Sequence, residues 1–296
     1  HAVARPLPLP FGGGWFIYLG YETALEIEPS LRAHWPAASF ADARPVAAAV
    51  RVPAALLRDA QGRGFLLAEP SVTAAERAQI HDDLRLLASQ PGEHVRGPSI
   101  AVDEEDPQAY LQRIVRAQDY IRAGDIYQAN LSRPWHARLP GDYAAADLYR
   151  RLRITNPAPF AAFAQFGALR VLSSSPERLL RIQGSRLDTR PIAGTHARGS
   201  TAAEDQSQAE ALVAHPKERA EHVMLIDLAR NDLGRVSVGG TVRVDEYMAV
   251  ETYAHVHHIV SNVTGQLRPG VSPVRALRAV FPGGTITGCP KVRCMQ

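Results

Sequence analysis

The sequence predicts an α+β fold, with groups of strands interrupted by helices rather than a regular strand–helix alternation. Three observations carry that reading. Residues 159–192 hold several short β-like runs punctuated by Gly167 and Gly184; stretches opening at Pro107 and Pro216 repeat apolar residues at helical spacing; and 242–263 returns to strand-like composition.

Taken in order, Gly12-Gly13-Gly14 is a glycine turn feeding a strand through Trp15, Phe16, Ile17, Tyr18 and Leu19. Residues 36–98 alternate short apolar pieces such as Phe65-Leu66-Leu67 with Pro, Gly and Ala, and carry little functional signal. Pro91, Gly92, Gly97, Pro98 and the acids Asp103-Glu104-Glu105-Asp106 read as a linker running into a helix start. The expected division is a β-rich N-terminal part, 1–98, and a catalytic region, 99–296. From Pro107 the positions Tyr110, Leu111, Ile114, Ala117 and Ile121 recur with helical period, and Gly124 stops the helix. A strand follows at 126–132, where alternation places Gln128, Asn130 and Ser132 on one face. Runs at 160–166, 169–173, 178–182 and 186–192 predict an antiparallel meander. Pro216 opens a second helix in which Ala220, Val223, Met224, Asp227 and Leu228 recur, and Gly234 ends it. Residues 281–288 form a glycine-rich loop.

With 296 residues, 46% hydrophobic and 21% charged, the chain belongs with folded globular proteins and not with disordered or fibrous ones. The 33 basic side chains exceed the 30 acidic ones by three, and they are mostly dispersed arginines without a basic block. That excludes a strong nucleic-acid footprint and suits a small anionic ligand. Cys289 and Cys294 lie close together without a second pair, which argues against a disulfide framework or a cysteine zinc site. No run reaches the ~18 apolar residues of a membrane span, and no basic region precedes an apolar signal core, so a cytoplasmic location is expected. The chain starts on His1 and its last residues lack a turn or cap signal, so it reads as cut at both ends.

Several residues could carry chemistry. Glu221 sits one turn before Leu225 on a partly apolar flank, where a carboxylate is costly unless paired, protonated or metal-bound; a solvated helix acid is the alternative. If 251–258 is one strand, His255 and His257 share a face with Glu251 and Tyr253, while His258 lies among Val256 and Val260. The first face could bind a transition metal or be merely hydrogen-bonded; His258 is the better candidate for a general base. The loop Gly283-Gly284-Thr285-Ile286-Thr287-Gly288 could hold an anion on backbone N–H groups and hydroxyls, or be an ordinary tight turn. It lacks the glycine-lysine order of a P-loop. Ser173-Ser174-Ser175-Pro176-Glu177 and Pro191-Ile192-Ala193-Gly194-Thr195 end strands, where both sites and turns are built.

Together, Gly124-Asp125-Ile126-Tyr127-Gln128-Ala129-Asn130-Leu131-Ser132, Ser174-Ser175-Pro176-Glu177, Arg190-Pro191-Ile192-Ala193-Gly194-Thr195, the run from Glu221 to Asp232 and the run from Gly283 to Lys291 resemble the chorismate-utilising enzymes. The five motifs occur in that family's order. The resemblance covers the chain from about Pro107 onward and is weaker near Trp15 to Glu28. It implies a large α/β sandwich of two packed antiparallel sheets with outer helices, truncated here at the C-terminus, where a second metal carboxylate would follow. It further implies that Glu221 is a magnesium ligand, that Gly194 and Thr195 contact chorismate with the loop at Gly284 and Thr285, that Glu177 is an acid/base carboxylate, and that His258 is a base or orienting imidazole.

The resemblance also separates branches by residue type. Isochorismate and salicylate synthases carry a Lys at the position of Gln128 to activate water, and Gln cannot remove a proton at neutral pH. The amine-using branches remain. Asn130, the run Ala158-Pro159-Phe160-Ala161-Ala162-Phe163 and the 283–288 loop resemble aminodeoxychorismate synthase component I. Ala193 is instead like anthranilate synthase component I, since well-studied aminodeoxychorismate synthases place a nucleophilic Lys there. A methyl group does no covalent chemistry. Either branch implies a glutamine amidotransferase partner that supplies ammonia; a non-catalytic scaffold with the same fold is the alternative outside enzymes.

Overall fold

The computed structural model describes residues 11–35, 44–89, 97–141 and 143–296. Pro91 and Gly92 of the expected linker lie outside the described residues. The chain divides into two compact units, one made of 1–23 with 44–96 and the other of 24–43 with 97–296. Residues 24–43, including the short helix α1 (Ala24–Ile27), therefore group with the C-terminal unit, whereas the sequence reading ran the N-terminal part unbroken to 98.

In the first unit β1 (Gly14–Leu19) pairs antiparallel with β2 (Ala47–Val52), and β3 (Ala54–Arg58) forms a hairpin with β4 (Gly64–Ala68). Helix α2 (Ala74–Ser89) starts on a capping box: Thr73 Oγ1 accepts from the Glu76 N–H, and Glu76 Oε2 accepts from the Thr73 N–H at 2.7 Å.

The second unit carries the expected motifs. β5 (Val102–Glu104) precedes α3 (Pro107–Arg122), which starts where predicted because the Asp106 side chain accepts from the Gln108 N–H and Pro107 has no N–H to satisfy. The strand predicted at 126–132 shrinks to β6 (Gln128–Ala129), and Tyr127, on the other side of the predicted strand from Gln128, is 75% exposed. β7 (Trp135–Ala137) pairs with β5, and α4 (Ala145–Thr155) follows. The meander appears as β8 (Phe160–Phe166), β9 (Leu169–Ser175), β10 (Arg178–Gln183), β11 (Arg186–Arg190) and β12 (Ile192–Ala197). Its pairing is split, because among the described residues β8 pairs only with β9 while β10 pairs with β11.

Helix α5 (Ala202–Ala214), capped by Thr201, and helix α6 (Pro216–Gly234) then lead to the long hairpin β13 (Arg243–Thr252) and β14 (Val256–Gln266). β14 is the centre of a five-stranded antiparallel sheet: β13 lies along one edge, and β12 and β11 lie successively along the other. The Ser261 N–H bridges to the Pro191 carbonyl between those two. Helix α7 (Pro273–Val280), the loop at 281–288, β15 (Gly288–Cys289) and α8 (Lys291–Met295) complete the unit. Among the described residues all strand pairings are antiparallel, in keeping with the predicted class.

The main core joins Leu187 of β11 and Val263 of β14 to Ile226 and Leu233 of α6 and Ala276, Ala279 and Val280 of α7. Fully burying each large side chain contributes about 1.5–3 kcal/mol. This packing rotates α6 away from the expected stripe. Ala220, Val223 and Asp227 are exposed, and His222, Leu225, Ile226 and Leu233 turn inward instead.

Candidate active site

Strand β12 places the site. Its pairing with β14 slips between Ile192 and Thr195, so Ala193 and Gly194 bulge out of the ladder. Gly194 has φ +87°, and a Cβ there would come within 3.1 Å of Ile259 and 3.2 Å of Leu212, so only glycine fits. Three residues of 192–195 then contact three different groups. The Ile192 N–H donates to the Glu177 carboxylate, the Ala193 carbonyl lies 3.2 Å from His222 Nδ1, and Thr195 Oγ1 lies 2.8 Å from His258 Nδ1.

Glu177 is largely buried, and that burial raises its pKa to about 7 against the opposing hydrogen bonds from Thr285 and Ile192. Thr285 Oγ1 donates to Glu177 Oε1 at 2.7 Å, while Asn130 Nδ2 donates to the Thr285 carbonyl at 2.8 Å. The predicted loop is a short 3₁₀ turn (Gly284–Ile286) in which the Ile286 and Thr287 N–H groups bond back to Gly283 and Gly284. The Thr287 hydroxyl donates to the same two carbonyls. The loop thus spends these donors on itself and presents Thr285 to Glu177. Gly284 packs against Leu228 of α6, where a Cβ would approach to 3.1 Å. A cavity of about 30 Å³, bounded by Glu177, Asp232 and Thr285, has room for roughly one water.

Gln128 is held from behind. Gly288, the strand partner of neighbouring Ala129, approaches so closely that a Cβ would meet the Gln128 carbonyl at 2.3 Å, and the Cys294 thiol donates to that carbonyl. Its amide Nε2 donates to Glu221 Oε1 at 2.7 Å, and its Oε1 is a buried acceptor without a partner. Glu221 and Gln128 thus present a carboxylate and an orphaned amide oxygen side by side. Magnesium takes oxygen ligands and is commonly bound by one or two carboxylates plus water and substrate oxygens, so this pair fits it. Among the described residues no cluster of three or more His, Cys, Asp or Glu is placed to hold a metal unaided.

The histidine faces are exchanged relative to the sequence reading. Residues 253–255 are the hairpin turn, so Glu251 belongs to β13 and sits across from His258. Thr195, His258 and Glu251 form one cross-strand row, and His196, His257 and Thr252 form the next. His257, not His258, is the buried one: its Nε2 meets Asp205 at 2.9 Å and its Nδ1 meets Thr252. His255 Nε2 meets the Thr155 carbonyl. With both ring nitrogens of His257 and Nε2 of His255 so engaged, and His255 in the turn rather than on the strand, the two-histidine metal face is not formed. Burial lowers the pKa of His258, against the Gly194 carbonyl and Glu251, and the Tyr253 ring stands edge-on to it at 5.4 Å. Arg190 grips both Glu246 and Glu251.

A path of contacts joins the predicted residues: Gln128 to Glu221, adjacent His222 to Ala193, Ile192 to Glu177, Glu177 to Thr285, and Thr285 back to Asn130. Gly194, Thr195 and His258 extend from the same bulge. The sequence reading passed over His222, Asp205 and Arg190; the only signal for His222 was its place immediately after Glu221.

A family model described as chorismate binding enzyme matches residues 2–296. The chain belongs to that family. Among chorismate binding enzymes, it is 41% identical over 293 residues to an anthranilate synthase component I-like protein of Synechocystis, covering 98% of this chain and 59% of the relative. It is 43% identical over 295 residues to anthranilate synthase component 1 of Thermus thermophilus, covering 97% and 62%, and 49% identical over 187 residues to aminodeoxychorismate synthase component 1 of Bacillus subtilis, covering 63% and 39%. The chain therefore spans only part of the length of these relatives. The crystal structure of anthranilate synthase component I from Streptococcus pneumoniae superposes with a TM-score of 0.84 at 30% identity, over 100% of this chain and 66% of that one. Among the described residues no helix is long and apolar enough to cross a membrane.

Proposed function

We propose that the intact protein aminates chorismate in a magnesium-dependent reaction in the cytoplasm, with ammonia delivered by a glutamine amidotransferase component, and forms 4-amino-4-deoxychorismate. The observation that carries the reading is the path of contacts that gathers Gln128, Glu177, Gly194 and Glu221 around 192–195 in a chorismate binding enzyme.

Losing the ring 4-hydroxyl requires a proton for a poor leaving group. A carboxyl with a pKa near 7 is still about half protonated at neutral pH, and Glu177 is such a group. Its water-sized cavity is too small for a substituted ring, so the substrate lies outside it, against Thr195 and His258. Neutral His258 can accept a proton from the incoming amine or hold the Thr195 hydroxyl toward the substrate. Gln128 donates to Glu221 and has no basic atom, which disfavours water as the activated nucleophile. Glu221, with the Gln128 amide oxygen, would hold magnesium, which when bound supplies positive charge opposite the substrate carboxylate. Ala193 offers no nucleophile, so a small amine attacks the ring directly.

Ala193 also favours a second reading, with anthranilate as product, as does the naming of the Synechocystis and Thermus relatives. Asn130 and the 158–163 and 283–288 segments favour the first. The deciding experiment incubates the intact protein with chorismate, magnesium and ammonium and identifies the product by mass and fluorescence. An aminodeoxychorismate product supports the first reading and anthranilate replaces it with the second. Unconsumed chorismate refutes both and leaves a non-catalytic scaffold.

A further inference from the structure

His222 is fully buried on α6, next in sequence to Glu221, and both of its ring nitrogens are engaged. Nδ1 lies 3.2 Å from the Ala193 carbonyl, an atom that can only accept, so Nδ1 carries the hydrogen. Nε2 lies 2.7 Å from Ser261 Oγ, which itself accepts the Met248 N–H at 2.9 Å. With its oxygen accepting from Met248, Ser261 turns its one O–H toward Nε2. A second ring proton would strand that hydroxyl hydrogen in the core, where Ser261 is also fully buried.

Both ends of this chain are irregular backbone. Met248 has φ +51° and lies in a register slip of β13 between Glu246 and Ala249, while Ala193 lies in the slip of β12. One imidazole thus ties together two bulges on opposite edges of β14. In an unbroken ladder the Ala193 carbonyl would bond to β14; here it is turned toward α6 instead. That turn leaves Gly194 at positive φ and brings Thr195 into register with His258.

We propose that His222 is a positioning residue: a neutral imidazole protonated at Nδ1 that locks the Ala193–Gly194 bulge and so aims Thr195 and His258 at the substrate. The proposal rests on the reading of Thr195 and His258 as the substrate-facing pair. It separates the two arms of the ring by function. The Nδ1 arm fixes the bulge on the site side, and the Ser261 arm sets the tautomer.

The test uses the intact protein and two variants. His222→Asn places an amide N–H near the Nδ1 position and keeps a donor for Ala193; His222→Gln reaches toward Ser261 and gives that donor up. Imidazole nitrogen NMR of the wild type should show Nδ1 protonated and Nε2 bare without substrate. The His258 ring signals should shift in His222→Gln and stay near wild type in His222→Asn. Turnover of chorismate should fall about 100-fold in His222→Gln, the scale of an ångström misplacement, and no more than about tenfold in His222→Asn at comparable melting temperatures. An Nε2-protonated or charged ring in the wild type overturns the proposal. So do equal losses in both variants that follow their melting temperatures. If the wild type itself consumes no chorismate, the functional reading fails, and the tautomer with the His258 signals still decides the positioning role.

Discussion

Glu177→Gln should remove a pH dependence of stability that is written into the site. In the folded protein burial raises the Glu177 carboxyl from an ordinary 4.5 to about 7, so the native state holds this proton more tightly than the unfolded chain does. Stability from the group is therefore fully present below about pH 4.5 and is lost as pH rises through about 7. The difference corresponds to about 3 kcal/mol across that window. Glutamine keeps the shape and can still accept from the Thr285 hydroxyl and the Ile192 N–H, but it does not ionise. Urea unfolding of both proteins from pH 4 to pH 8 should show the wild type losing about 3 kcal/mol relative to the variant, most of it between pH 5 and 7. The same titration should appear in turnover by the intact protein, which should fall with rising pH once the carboxyl ionises. Stability curves that stay parallel over the whole range would refute the assignment of a neutral buried carboxyl.

Three further outcomes are expected. Gly194→Ala should cost at least about 1–2 kcal/mol from the positive φ alone, with more from contact against Ile259 and Leu212, read as a lower midpoint in chemical unfolding; a neutral substitution would show that the bulge is not fixed. Asp188 is 1% exposed between Arg178 and Arg181, so Asp188→Asn should cost about 3 kcal/mol, the lower end for a broken buried pair because Arg181 is half exposed; a loss below about 0.5 kcal/mol would contradict this. Glu221→Gln in the intact protein should raise the magnesium concentration needed for half-maximal turnover at least about tenfold, and an unchanged magnesium titration would remove Glu221 from the metal site.

What could be read from the sequence follows the range of the forces involved. Helix α3 was legible because its start and stop are local: Asp106 caps, Pro107 leads and Gly124 adopts φ +79°. The ends of α6 were legible for the same reason. Its buried face was not, because His222 counts as polar in any apolar stripe and is made tolerable in the core by Ala193 and Ser261, 29 and 39 residues away. The capping box at Thr73 and Glu76 is also local, yet it lies in a stretch that gave no apolar period. Alternation failed at 251–258 because the turn at 253–255 resets the count, which put Glu251 with the wrong histidine. The site residues Gln128, Glu177, Gly194, Thr195, Glu221, His258 and Thr285 came from motif resemblance. Their contacts span as many as 166 residues and have no local trace.

The central position of β14 limits where this chain can change length. A strand with partners along both edges cannot slide against one without breaking with the other. Adding or deleting a single residue between His258 and Val263 would turn every side chain on one side of the change to the opposite face. His257 would then leave Asp205 and point toward Thr195, while His258 would enter the core beneath α5. Length variation among related chains should therefore collect in the turn at 253–255, or after Gln266 where the chain turns through Gly270, and should spare the eleven residues between.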